Sequence, residues 1–250
     1  MRHYTPFLTL LFFSLSTNIL LVFGRTSSNL SAQSYPGCIL QDCLDTVFTD
    51  SSLRTYPQDA DYLSKINAYN LDYPVYPAAL IRPTTVEEVS AAVKCAVKAN
   101  VKVQPRSGGH SFANYCLGGV DGALVVDLIY FQKFEMDSGD GGSWEATIGA
   151  GTLLGDVTKR LHDAGGRAIA HGTCPQVGIG GAYNYNNSRD SICNRFFWLP
   201  PGHATIGGLG PTSRQWGSTL DHIREVEVVL ANGTITRANE NQNPDLYFVS

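Results

Sequence analysis

The sequence predicts a globular chain with an α+β fold, and its composition, periodicity and charge are the observations to start from. Its 250 residues are 43% hydrophobic and 10% aromatic, which excludes a disordered chain. Segments of helical and strand periodicity are mixed without the strict alternation of a doubly wound sheet. The formal net charge of −4 indicates no basic surface for nucleic acid or anionic lipid. We therefore expect neither nucleic acid nor a membrane as a partner.

The first 24 residues differ in composition from the rest of the chain. A largely apolar run over residues 7–23 is shorter than the roughly 20 residues that a membrane-spanning helix needs. Val22 and Gly24 stand at the −3 and −1 positions of a cleavage site. We predict a signal peptide over residues 1–24, and hence a secreted protein. The alternative is an uncleaved membrane anchor.

If the protein is secreted, its six cysteines are expected to pair or react, because thiols do not persist in an oxidising compartment. They are Cys38, Cys43, Cys95, Cys116, Cys174 and Cys193. None forms a CxxC, and no second pair stands at zinc-site spacing, so no metal site is predicted. Sequons of the Asn-X-Ser/Thr type at Asn29, Asn186 and Asn232 fit a glycoprotein.

Residues 25–75 are interpreted as an N-terminal helical extension. They are polar, with one plausible helix near 39–48. The regular part of the chain begins at Pro77, so the main domain is assigned to residues 76–250.

The main domain is expected to open with a βαβ unit. A short apolar strand over Ala78–Arg82 ends at a proline. Thr85 and Glu88 then form a capping box, in which two side chains satisfy free amides at the start of a helix. Valines at three- and four-residue spacing continue this helix to about Ala99, and Val101–Val103 is the second strand.

Shorter elements are expected beyond this unit. Strands are predicted over residues 123–128, 134–136, 145–148, 223–230 and 234–237. A second amphipathic helix spans Leu153–Ala164, with Thr152 as its N-cap. Asn232 and Gly233 are predicted to form a two-residue type I′ turn, in which both residues need positive φ.

Three glycine-rich loops carry the functional signal. They are Arg106-Ser107-Gly108-Gly109-His110-Ser111, Gly149-Ala150-Gly151-Thr152 and the segment Gly172–Gly181. Adjacent glycines let backbone amides approach an anion, and a helix start favours negative charge. Neither the Walker pattern nor the Rossmann GxGxxG fingerprint occurs here. A phosphate-bearing cofactor thus fits the loops, but not through those two folds.

RSGGHSFANY, GAG at 149–151, HGTCPQVGIGG and HATIGGLGPTSRQWG together resemble the flavin-binding domain of the berberine-bridge and oligosaccharide oxidase family. The resemblance runs from about Pro77 to the end. It implies the two-subdomain PCMH-type fold with FAD between α+β subdomains. It also implies an oxidase that takes a hydride from an alcohol carbon of a small-molecule sugar or secondary metabolite and passes the electrons to O₂.

The substrate domain of that family, and the tyrosine base of many relatives, would follow Ser250. The chain is therefore interpreted as a truncated oxidase, and no catalytic base is assigned to it. The alternative is a non-catalytic flavin-binding fragment. Neither the substrate nor the oligomeric state follows from the sequence.

By the same resemblance, His110 matches the histidine bonded to the flavin 8α-methyl, and Cys174 matches the cysteine bonded to flavin C6. The alternative for His110 is a hydrogen bond to the pyrophosphate only, and the alternative for Cys174 is a disulfide or a buried thiol. The resemblance also implies a Cys43–Cys95 disulfide. The expected FAD-binding set is Arg106, Ser107, Gly108, Gly109, His110, Ser111, Gly149, Gly151, Gly172, Thr173, Cys174, Gly178, Gly208 and Val228.

The family pattern continues directly from Gly181 to His203, whereas residues 182–202 interrupt it here. We interpret this segment as a retained intron in the gene model, against the alternative of a real surface insertion, which loops tolerate at small entropic cost. A translated intron is expected to form an irregular excursion, with His203 returning close to Gly181.

Overall fold

The computed structural model describes residues 36–138, 144–182, 207–210 and 213–249. Its helices are α1 (Pro36–Val47), α2 (Tyr62–Ile66), α3 (Val86–Ala99), α4 (Leu154–Asp163), α5 (Ile179–Ala182), α6 (Ser213–Trp216) and α7 (Pro244–Val249). Its strands are β1 (Arg54–Thr55), β2 (Ala79–Ile81), β3 (Val103–Arg106), β4 (Leu124–Asp127), β5 (Phe134–Ser138), β6 (Trp144–Ile148), β7 (Glu225–Val229) and β8 (Ile235–Asn239). The predicted signal peptide, and nearly all of the 182–202 interruption with His203, lie outside the described residues. No helix within the described ranges is long and apolar enough to cross a membrane.

Four strands form a mixed sheet in the order β1-β2-β4-β3. β4 pairs in parallel with both β2 and β3, whereas β1 pairs with β2 in the antiparallel direction. The predicted βαβ unit is present, with β4 inserted between its two strands. Two antiparallel hairpins, β5–β6 and β7–β8, lie outside this sheet. The α+β class is therefore confirmed.

The two central strands are buried on both faces. Ala79, Ile81 and the β4 residues Leu124 and Val126 pack into one core with α1 and α3. The residues between them, such as Leu80 in β2, point to a second core beside α2. This alternation is the period-two geometry of a strand, and it explains why these strands read as continuous apolar runs.

Helix α3 begins as the sequence predicts. The Thr85 hydroxyl accepts a hydrogen bond from the Glu88 amide at 3.2 Å, and the Glu88 carboxylate accepts one from the Thr85 amide at 3.3 Å. The helix ends at Asn100 in the left-handed conformation, with φ of 53°. Both ends of α3 are thus fixed by local hydrogen bonds.

The described part of the N-terminal extension belongs to the main core. Helix α1 packs on α3, and β1 forms the edge of the sheet. A disulfide joins Cys43 to Cys95 with their Cα atoms 5.6 Å apart, so the pairing implied by the family resemblance is present. Cys38 and Cys116 are free thiols.

Thr152 is not the N-cap of α4, so that prediction is wrong. The cap position is Leu153, and the buried Thr152 hydroxyl has no hydrogen-bond partner among the described residues. The Leu154 amide instead donates to the Val177 carbonyl at 2.9 Å. A partner distant in sequence has replaced the local cap.

The type I′ prediction for Asn232 and Gly233 is also wrong. Of this pair only Gly233 has positive φ, at 80°. Its amide closes the turn on the Leu230 carbonyl at 2.8 Å, and strand pairing resumes at Val229 and Ile235. The loop is therefore longer than two residues, and Gly233 occupies its left-handed position.

Replacing both Cys43 and Cys95 with alanine is expected to lower the free energy of unfolding by up to about 4 kcal/mol, because the disulfide spans a sequence separation of 52 in the unfolded chain. Denaturant unfolding without reductant measures this difference. Cys38→Ala, which removes an exposed free thiol, serves as the control. Equal unfolding midpoints for the double variant and the wild type would contradict the expectation.

Candidate functional site

The first glycine loop follows β3 directly, at the carboxyl end of the parallel strands. Arg106 is the last residue of β3, and in the strand register it lies opposite Asp127, the last residue of β4. The carboxyl ends of parallel strands are where open α/β sheets bind ligands. The loop 107–111 therefore leaves the sheet at the edge where a cofactor is expected.

The three predicted loops meet at Gly108. A Cβ atom on Gly108 would collide with the Gly178 amide and lie 2.8 Å from the Gln176 carbonyl. The Ser107 hydroxyl donates to the Ala150 carbonyl at 2.5 Å, and the Gly180 amide donates to the same oxygen at 3.1 Å. The first and third loops thus touch backbone to backbone, and the Ser107 side chain joins the second loop to them.

The glycines of the second loop serve close packing. The Gly149 amide donates to the Lys133 carbonyl and the Gly151 amide to the Phe131 carbonyl, each at 2.8 Å. A Cβ on Gly149 would lie 2.9 Å from the Lys133 amide nitrogen. These two amides are occupied by protein carbonyls, so their expected contact with an anion stays a prediction.

Arg106 and Ser111 hold the first loop from inside. The buried Arg106 guanidinium donates to the Ile66 carbonyl at 2.6 Å, at the end of α2. It also lies under Gly109, whose φ is 71° and whose missing Cβ would stand 2.8 Å from the guanidinium. The Ser111 hydroxyl accepts from the Tyr115 amide at 3.0 Å.

A fourth segment, residues 207–210, joins the third loop. The Thr219 hydroxyl donates to the Ala170 carbonyl at 2.5 Å and lies 3.0 Å from the Gly208 carbonyl. Gly208 has φ of 74°. The third loop begins two residues after Ala170, with Gly172 and the exposed Thr173. Gly208 is therefore adjacent to the segment that leads into this loop.

Val228 belongs to the β7–β8 hairpin and not to the glycine loops. It lies in β7 opposite Thr236. The turn of its hairpin packs on α3, where the Ser90 hydroxyl donates to the Gly233 carbonyl at 2.5 Å. Its assignment to the adenine end of the cofactor stays a prediction.

Cys174 is buried, with 6% of its surface exposed, and it is disulfide-bonded. A sulfur in a disulfide is not the thiolate that attacks an electrophile. The expected bond between Cys174 and the flavin therefore stays a prediction.

His110 is half-buried at the tip of the first loop. Burial lowers its pKa below the usual 6.5, with a smaller opposing effect from its own backbone, so its neutral form is favoured. Its Nε2 lies 3.1 Å from the hydroxyl oxygen of Tyr69, and the two ring centroids are 4.2 Å apart. Sequence reasoning missed Tyr69, which stands outside every motif.

Asn114 holds Tyr69 beside this loop. It is fully buried, has φ of 51°, and its side-chain oxygen accepts from the amides of Tyr69 and Asn70 at 3.1 and 3.2 Å. Its side-chain nitrogen donates to the carbonyls of Asn70 and Tyr73 at 2.8 and 2.7 Å. Asn114 lies within RSGGHSFANY, so the motif itself was the available signal for this residue.

These residues fit an FAD group. The glycines bring loop backbones together without side chains between them, and the neutral imidazole of His110, two residues beyond Gly108, is a group that can attack an electrophilic ring. Within the described ranges, no three His, Cys, Asp or Glu side chains group together as a metal site.

The sequence of residues 77–190 matches the family model described as an FAD binding domain. An FAD-linked oxidoreductase of Penicillium rubens is 40% identical over 218 residues, which cover 87% of this chain and 40% of the relative. A xylooligosaccharide oxidase of Thermothelomyces thermophilus is 35% identical over 209 residues, which cover 84% of this chain and 37% of the relative. The chain thus spans about two fifths of the length of these relatives.

Solved structures similar to this chain include oligosaccharide oxidases. The xylooligosaccharide oxidase from Myceliophthora thermophila in complex with xylobiose has a TM-score of 0.67 and 35% identity, over 84% of this chain and 38% of that one. A glucooligosaccharide oxidase from Acremonium strictum with a 6-S-cysteinyl, 8α-N1-histidyl FAD has a TM-score of 0.65 and 31% identity, over 84% and 38% of the two chains.

Gly108→Ala is expected to weaken FAD retention and to lower the free energy of unfolding by about 1–3 kcal/mol, because the new Cβ meets backbone atoms that cannot move aside. Gly181→Ala is the matched control, since a Cβ there has only the Ser107 Cβ nearby, at 3.9 Å. Flavin absorbance after gel filtration and denaturant unfolding measure the two effects. Equal behaviour of the two variants would show that the contact at Gly108 is unimportant.

Proposed function

Because this chain belongs to the FAD-binding family of the berberine-bridge and oligosaccharide oxidases, we propose that it is the FAD-holding part of a secreted oxidase. The substrate class is an alcohol carbon of a sugar or secondary metabolite, and O₂ is the electron acceptor. The observation that carries the proposal is the meeting of three glycine loops beside His110. FAD, when bound, would accept the hydride from the substrate and pass the electrons to O₂.

In this proposal the loops bind the cofactor and take no part in the reaction itself. Gly108 and Gly178 let two backbones approach closely, so that a flat ring system and its phosphates contact main chain instead of side chains. Ser107, through its bond to Ala150, holds the first and second loops at a fixed distance. Arg106 keeps its guanidinium on the α2 carbonyl and thereby fixes the path of Gly109.

His110 is the residue that attaches the cofactor, in this proposal. A nucleophilic imidazole must be neutral, and burial favours that form by lowering the pKa of His110. A covalent bond fixes the ring without an enclosing pocket, which leaves room for a bulky substrate above it. The histidyl FAD of the Acremonium strictum glucooligosaccharide oxidase supports this role.

A second link through Cys174 requires that its disulfide first be opened. The sulfur is buried and already bonded, so flavin and disulfide partner compete for the same atom. The cysteinyl FAD of the same glucooligosaccharide oxidase supports the link, whereas the disulfide of this chain opposes it. We therefore propose the histidyl bond as the primary attachment.

The purified chain is expected to carry one FAD that survives denaturation, seen as the intact mass of the polypeptide plus one FAD. His110→Ala removes this added mass, whereas His162→Ala, whose side chain is 80% exposed on α4, keeps it. Peroxide formation on carbohydrate and alcohol panels, above the His110→Ala level, reports the oxidase activity. A wild-type chain that loses all flavin on denaturation would overturn the covalent bond, and FAD without peroxide would favour a non-catalytic fragment.

We also propose that the chain is secreted and glycosylated. Asn232 is exposed at the tip of the β7–β8 hairpin, where its side-chain oxygen accepts from the Thr234 amide at 2.9 Å. An exposed Asn-X-Thr turn is accessible to the glycosylation machinery of a secretory host. The sequons at Asn29 and Asn186 lie outside the described residues.

Expression in a eukaryotic host is expected to give medium-borne protein that begins at Arg25, as read by N-terminal sequencing. Asn232→Gln removes one endoglycosidase-sensitive glycan from its mass. Asn241→Gln, an exposed asparagine outside any sequon, leaves the mass pattern unchanged. Retention of residues 1–24 on membranes would contradict the proposed signal peptide.

A further inference from the structure

We infer that Tyr69 is a positioning residue for His110, whose hydroxyl holds Nε2 and leaves Nδ1 as the nitrogen that bonds the flavin. The inference rests on the histidyl attachment proposed above. It adds a residue that no motif contains and assigns the two imidazole nitrogens different tasks.

The geometry around the imidazole separates its two nitrogens. Nε2 lies 3.1 Å from the Tyr69 hydroxyl oxygen, within hydrogen-bond distance. The Tyr69 ring lies 4.2 Å from the His110 ring, centroid to centroid, with 36° between their planes. The Phe112 ring meets the Tyr69 ring edge-on at 5.2 Å. These contacts keep Tyr69 against the side of the imidazole that bears Nε2.

Tyr69 keeps this place because its backbone is anchored. The Tyr69 amide donates to the buried Asn114 side chain, only four residues beyond His110 in the chain. The Asn70 side chain donates to the Phe112 carbonyl at 2.7 Å. These two hydrogen bonds therefore hold the segment that carries Tyr69 against the loop that carries His110.

The direction of this hydrogen bond sets which nitrogen is nucleophilic, and we take Nε2 as the donor. A neutral imidazole has one N–H donor and one lone-pair nitrogen, and the partner of one nitrogen sets the state of the other. When Nε2–H donates to the Tyr69 oxygen, the lone pair is on Nδ1. The other tautomer places the proton on Nδ1 and blocks attack there.

The covalent step balances with O₂ as the oxidant. One C–H bond of the flavin 8α-methyl breaks, one C–N bond to Nδ1 forms, and the two released electrons pass through the flavin to O₂. The methyl proton and the Nε2 proton are released to solvent, and the reduced oxygen takes two protons from solvent to form H₂O₂. Tyr69 is 42% exposed, so its hydroxyl accepts the Nε2 proton and passes it to solvent.

The first test reads the tautomer without any cofactor. In the cofactor-free chain with ¹⁵N-labelled histidine, above the pKa of His110, nitrogen chemical shifts are expected to show the proton on Nε2 in the wild type. Tyr69→Phe is expected to give a mixture of both tautomers. A wild-type spectrum with the proton on Nδ1 would overturn the inference.

The second test follows covalent attachment after FAD is added to the cofactor-free chain. Tyr69→Phe is expected to bind FAD non-covalently as the wild type does, and to form the bond about a hundredfold more slowly, at the low end of what a positioned proton-transfer group contributes. Its rate should also depend more steeply on pH, because solvent must take the proton. Tyr73→Phe, which removes a nearby exposed hydroxyl, should match the wild type.

The outcomes separate the two proposals. A Tyr69→Phe chain that attaches FAD at the wild-type rate and pH profile overturns the role of Tyr69 and leaves the histidyl bond in place. A wild-type chain that attaches no FAD overturns the histidyl bond, and the role of Tyr69 with it. Slow attachment in Tyr69→Phe alone, with unchanged non-covalent binding, supports both.

Discussion

The close approach of two backbones at Gly108 and Gly178 is the constraint on which the site depends. Neither position has space for a Cβ atom, so the first and third loops touch main chain to main chain. The bond from Ser107 to Ala150 adds the second loop to the same point. Because β3, which leads into the first loop, pairs along its length with the fully buried β4, this contact has a rigid support.

The sequence predicted well those features that local chemistry decides. The capping box of Thr85 and Glu88 needs only four consecutive residues, and it forms as expected. The central strands were visible because burial on both faces leaves a continuous apolar run. The glycine loops were found because no other residue type tolerates such close backbone packing, and the family motifs supplied their order.

Prediction failed where a distant partner replaced a local one. Thr152 has the chemistry of an N-cap, but the Val177 carbonyl takes the Leu154 amide, so the hydroxyl is not needed there. Asn232-Gly233 favours a tight turn in isolation, but the turn packs on α3 through Gly233. Tyr69 stands 41 positions before His110, and no local pattern connects them; the tertiary bonds of Asn114 and Asn70 bring them together.

Asn114 has one further consequence for how this surface changes during evolution. All four of its side-chain hydrogen bonds go to main-chain atoms of residues 69–73. Asn114 therefore holds that segment through its main chain, and the Asn70 side chain adds a bond to the Phe112 carbonyl. A substitution at an exposed position of this segment, such as Leu71, can therefore change the surface of the protein here and keep all four hydrogen bonds of Asn114.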